Sequence, residues 1–99
     1  MKRIELHIPT MGNDGAAFPI TLFDEVESDL LDLAGGFTSH LAEGKWRSPS
    51  GRVYVDPQVV YTVDANPELG AQEVDALRAK VKRLFSQEEV YLVEYQLER

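Results

Sequence analysis

The chain predicts an α+β sandwich in the order β-α-β-β-α-β, and three patterns carry that prediction. Residues 2–9 alternate in polarity, residues 22–33 and 74–84 place apolar side chains at helical spacing, and two β-rich runs flank the turn "RSPSG". A period of two marks a half-buried strand, whereas a period near 3.6 marks a helix with one apolar face.

In Lys2–Pro9, "KRIELHIP", Ile4, Leu6 and Ile8 share one face while Arg3, Glu5 and His7 share the other. "MGNDGAAFP" reads as a loop, because Asn-Asp-Gly favours a turn and Pro19 resists pairing. Thr21 stands where it caps the first helix, Asp24 follows three residues on as in a capping box, and Leu22, Val26, Leu30 and Leu33 form the apolar stripe. Gly35-Gly36 ends that helix, since glycine accepts the left-handed conformation of a C-cap. Phe37–Trp46 and Arg52–Val63 are rich in aromatic and β-branched residues and read as an antiparallel hairpin, with Pro57 marking a bulge or an edge position. "DANPELG" connects to a second helix on which Val74, Leu77, Val81 and Leu84 recur. Glu73 and Asp75 come early in it and Lys80, Lys82 and Arg83 late, as the helix dipole favours. Val90–Leu97 closes the chain as a strand with apolar residues on both faces. Right-handed crossovers then put both helices on one face of a four-stranded antiparallel sheet, the ferredoxin-like arrangement, in one domain spanning 1–99. The other sheet face is left uncovered.

Ordinary globular composition agrees, with 43% hydrophobic and 27% charged residues in 99. The absence of cysteine excludes disulfides, thiolate metal sites and thiol redox chemistry. "MKRIELHIPT" has the positive start of a signal peptide without its apolar stretch, and no run spans a bilayer, so the chain reads as cytoplasmic and without a membrane segment. The net charge of −7 repels a phosphate backbone and argues against nucleic acid as a partner. That charge is uneven: −5 over residues 1–36, +1 over 37–63 and −3 over 64–99.

Strand parity places Glu5, His7, His40, Val60 and Thr62 on the uncovered face and turns Phe37 and Leu41 inward. A histidine beside a carboxylate is a workable acid/base pair, which makes His7, His40 and Glu5 the catalytic candidates. A solvated sheet face accounts for the same residues without chemistry. Their spacing forms no metal motif, and no phosphate-binding, dinucleotide or hydrolase signature is present, so neither metal nor cofactor is expected. Asp24, Glu25, Glu27, Asp29 and Asp32 crowd the first helix, either as a solvated face or as a docking surface for a basic partner. Tyr91, Val93, Tyr95 and Leu97 form one stripe of the last strand. A domain this small needs its large side chains inside, which favours placing that stripe in the core; exposed, it is a dimer or ligand surface.

From Gly44 onward, "GKWRSPSGRV", the Asp56-Pro57 pair before a valine-rich strand, and "RLFSQEEVYLVE" together resemble a bacterial family of small domains of unknown function, many of them secreted or lipoprotein-anchored. The resemblance covers about the last two thirds of the chain. It implies that Gly44, Trp46, Arg47 and Gly51 are a recurring structural device and supplies no catalytic residues; the missing secretion signal departs from it. Gly51 suits a positive-φ turn position, and Trp46 can pack across the hairpin with Arg47 or Arg52 stacked on it or paired with an acid.

The leading reading is therefore a small acidic binding module that acts through its open sheet face or by self-association, as a homodimer or with a protein partner. Trp46, Arg47, Arg52, Tyr54, Tyr91 and Tyr95 are its candidate binding residues. The contrasting reading is a cofactor-free enzyme similar in chain order to dimeric α+β barrel monooxygenases and isomerases, with His7, His40 and Trp46 lining a closed apolar pocket. A third makes the acidic helix an inhibitor surface.

Overall fold

The computed structural model describes residues 1–65 and 69–97, in the order β1 (Lys2–Pro9), α1 (Ile20–Ala34), β2 (Thr38–Arg47), β3 (Val53–Ala65), α2 (Ala71–Leu84) and β4 (Tyr91–Gln96). The four strands form one antiparallel sheet in the order β2-β3-β1-β4. This is the ferredoxin-like α+β arrangement expected from the sequence. The middle of "DANPELG" lies outside the described residues.

The alternation in β1 does what it foretold. Ile4, Leu6 and Ile8 are fully buried beneath the helices, opposite Val63, Tyr61 and Val59 of β3. Val26 and Leu30 of α1 and Leu77, Val81 and Phe85 at α2 close the main core over them, while Ile4, Ala65, Leu69 and Val74 form a smaller cluster. Val90 and Leu92 pack against this core, so Tyr91 and Tyr95 point the other way, 64% and 43% exposed. The core reading of the Tyr91 stripe is thus corrected: strand parity can bury only one face of β4, and Leu92 takes it.

Two local expectations also change, and of the two readings of Pro57 the edge position is the one that stands. The first helix begins at Ile20 with Pro19 as its N-cap and no side-chain cap, so Thr21 lies within the first turn instead of capping it. Proline supplies the fixed φ of a helix entrance without needing an N–H partner. Pro57 makes no bulge, because β3 pairs with β2 in unbroken register from Arg47↔Val53 to Thr38↔Thr62. It stands just past the last β1 partner, Pro9↔Gln58, and its carbonyl accepts the Thr10 N–H at 3.0 Å, so its missing N–H faces the side where β1 has ended. Leu41 is on the helix side of the sheet, opposite Val59, but is not covered there: it is 80% exposed. β2 is an edge strand, and together with the start of β3 it forms a two-stranded arm that outruns the helices. Val53 and Val55, on the arm and on the same face of the sheet as Leu41, are 50% and 54% exposed because no helix reaches them.

Gly35 terminates α1 in the left-handed region at φ 77°, its N–H donating to the Leu31 carbonyl at 2.8 Å. Any side chain there pays the left-handed penalty, so Gly35→Ala is expected to lose about 1 kcal/mol in urea unfolding without altering the fold. An unchanged midpoint would show that the cap does not contribute.

Candidate functional site

Four residues form one row across the uncovered face: His40 on β2, Val60 on β3, His7 on β1 and Tyr91 on β4. Val60 is only 1% exposed although it is on the face away from the helices. Both histidines therefore share the surface that parity assigned them. They do not meet, since two strand spacings, about 10 Å, separate their backbones.

His7 is held on both sides. Its Nε2 stands 2.8 Å from Glu5 Oε1 and its Nδ1 2.8 Å from Gln58 Oε1. Gln58 in turn donates from Nε2 to Asp56 Oδ2 at 3.2 Å, which leaves its carbonyl oxygen for His7. An acceptor thus faces each ring nitrogen; the imidazolium donates to both and the neutral ring to one. Proton exchange between His7 and a ligand requires one of these contacts to break. The Tyr91 ring meets the His7 ring edge-on, with centroids 4.7 Å apart.

This polar strip runs along one side of a cleft of about 520 Å³ at the β3 start. The β1–α1 loop forms a second wall, folded on itself by Gly12 N–H to Ala16 O (2.9 Å), Gly15 N–H to Gly12 O (3.0 Å) and Ala16 N–H to Asp14 Oδ1 (2.9 Å). Gln87 and Glu89, from the α2–β4 junction, form a third. At the far end Trp46 and Tyr54 stack across the hairpin, centroids 4.7 Å apart and planes 15° apart, and the Arg52 guanidinium lies over Tyr54 at 5.0 Å. Gly51 makes the turn behind them at φ 90°.

Of the candidate residues, His7, Trp46, Tyr54 and Tyr91 line the cleft and Glu5 and Arg52 stand beside its residues. His40 and Tyr95 lie elsewhere on the same face, with Tyr95 opposite Arg3, and Arg47 faces the helix side of the arm. Arg3 and Asp64 form a forked pair at 2.7 and 3.0 Å, which holds the Asp64 carboxyl below the usual carboxylate range. The acids of α1 divide. Glu27 accepts the Tyr61 hydroxyl at 2.8 Å, while Asp29 and Glu25 reach Lys80 of α2 at 2.7 and 3.3 Å and raise its pKa. Asp24 and Asp32 remain outward. Among the described residues no group of three His, Cys, Asp or Glu side chains is placed to hold a metal ion, and no helix is long and apolar enough to cross a membrane. Gln58, Asp56, Gln87 and Glu89 were not among the expected site residues; Gln58 and Asp56 left a signal, having the same strand parity as Val60 and Thr62.

No family model and no curated protein matches the chain. Solved structures do. A phage SAM lyase in complex with S-methyl-5'-thioadenosine superposes with a TM-score of 0.71 at 14% identity, over 96% of this chain and 80% of that one. The CutA periplasmic divalent cation tolerance protein of Archaeoglobus fulgidus gives 0.65 at 15% identity, covering 100% and 86%. The PII-like protein CutA of Nostoc gives 0.58 at 14%, covering 99% and 82%. The likeness establishes a shared fold. It transfers no residue's role at these identities.

Proposed function

We infer that the protein is a small binding module that self-associates and takes a small-molecule ligand in the cleft of its open sheet face. The observation that carries this reading is the arm. Val53 and Val55 are half or more exposed on one side of it, continuous with Leu41 at the sheet edge, and Trp46 (55%) and Tyr54 (38%) are exposed on the other. A two-stranded ribbon is marginal in water by itself, and apolar groups on both of its faces are stabilised only by a further layer. A second copy of the chain provides one. The ligand half of the reading draws support from the fold itself, on which a phage SAM lyase holds S-methyl-5'-thioadenosine. The cleft of about 520 Å³ has the size and the mixed aromatic and polar lining of a small-molecule site.

Light scattering on the eluting protein tests the assembly. Wild type is expected to elute as an oligomer. Val55→Lys, which adds charge at an exposed position of the arm, is expected to shift it toward monomer while leaving the circular dichroism spectrum unchanged. A wild-type monomer at every concentration would sink self-association.

A further inference from the structure

The charges around the cleft narrow the ligand further. Its lining contributes two carboxylates, Asp56 and Glu89, and no lysine or arginine. Among the described residues, five of the chain's ten lysines and arginines are engaged elsewhere: Lys2 with Glu94, Arg3 with Asp64, Lys45 with Glu43, Arg78 with Asp75, and Lys80 with Glu25 and Asp29. The His7 imidazole, the one basic group in the lining, already has an oxygen at each nitrogen. Arg52 stands behind, over the Tyr54 ring. An anionic ligand would therefore enter a site that carries two negative charges, on a chain whose net charge is −7, and would find no free cation in the lining.

The aromatic lining points the same way. Trp46 and Tyr91 present exposed rings at opposite ends of the cleft, and the face of an electron-rich ring attracts a cation. The chain shows this at Tyr54, where its own guanidinium sits 5.0 Å from the ring centroid. Carboxylates and aromatic rings together are the lining that recognises a weakly hydrated, alkylated cation, whose charge is spread over apolar groups that the rings can contact.

We propose that the cleft between β3, the β1–α1 loop and the α2–β4 junction selects a small organic cation of the ammonium or sulfonium class, held by Asp56 and Glu89 with the ring at one end of the cleft, Trp46 or Tyr91, against its alkyl groups. The proposal rests on the cleft being the ligand site and is independent of the oligomeric state.

The test compares choline with neohexyl alcohol, its uncharged carbon isostere, using the emission of the single tryptophan and the aromatic proton resonances of Tyr91 as readouts. Choline is expected to shift at least one of them saturably, and neohexyl alcohol to require at least about tenfold more for the same shift. Asp56→Asn and Glu89→Gln are each expected to narrow that ratio. Equal or tighter binding of neohexyl alcohol would overturn the cation proposal while leaving a binding cleft in place. No shift from either probe would overturn the proposal as well, and self-association would still be decided separately by light scattering. Discrimination that persists in the doubly neutralised variant would overturn the assigned role of the two carboxylates.

Discussion

Phe85→Ala is expected to cost about 3–5 kcal/mol, a large fraction of the roughly 5–15 kcal/mol that stabilises a domain this size. Phe85 is fully buried just past the end of α2, where its ring meets Phe18 at 85° and Phe23 at 61°, both with centroids 5.0 Å away. It therefore ties together the loop before α1, α1 itself and the end of α2. Removing it deletes the shared partner of two edge-to-face contacts and leaves a cavity that three separate segments would have to close. Urea unfolding at neutral pH reads the loss as a lower midpoint at unchanged slope, and the thermal midpoint should fall by about 12 °C or more. Should the alanine variant fail to fold, Phe85→Leu keeps most of the volume and is expected to cost about 1–2 kcal/mol. A loss under about 1 kcal/mol for alanine would mean that the cluster does not hold the helices to the sheet.

Phe85 also shows where sequence reasoning stops. The helical period of α2 was legible through Val81 and then offered Leu84, whereas the fully buried residue is Phe85, at the C-cap where the backbone leaves the helical path. Periodicity applies only while the element lasts. The same boundary explains Leu41: parity gives it the correct side of the sheet, but parity contains nothing about how far the helices reach, and they do not cover the β2 edge. The site divides in the same way. His7, Glu5 and Val60 could be placed on one face because all belong to regular strands in fixed register. The walls of the cleft come from the β1–α1 loop, the start of β3 and the α2–β4 junction, segments whose mutual approach no local pattern encodes. The acids of α1 make the converse point. A run that reads as one charged surface is divided by helical geometry into Glu27 toward Tyr61, Glu25 and Asp29 toward Lys80, and Asp24 and Asp32 toward solvent.

The Glu27–Tyr61 contact carries the second large prediction, which concerns alkaline pH. Burial is the main cause that pushes the Tyr61 phenol well above the ordinary tyrosine value of 10.0, and the hydrogen bond to Glu27 adds to it. Below about pH 10 the phenol is protonated in both the folded and the unfolded chain and its contribution is fully present. Above that value the unfolded chain releases the proton while the folded chain keeps it, so the folded state binds more protons and stability falls as pH rises. The loss approaches about 1.4 kcal/mol per pH unit from this one group. Lys80, whose pKa is raised chiefly by Asp29, contributes with the same sign, so a decline in the wild type alone does not isolate Tyr61. Tyr61→Phe does. The variant keeps the buried ring against Phe37, at 5.5 Å, loses the bond to Glu27, and should be about 1 kcal/mol less stable near neutrality. Having no proton to lose, it should decline less steeply, so the two urea midpoints converge and then cross above about pH 11. A gap between them that stays constant from about pH 8 upward would mean that Tyr61 ionises no later in the folded chain than in the unfolded one.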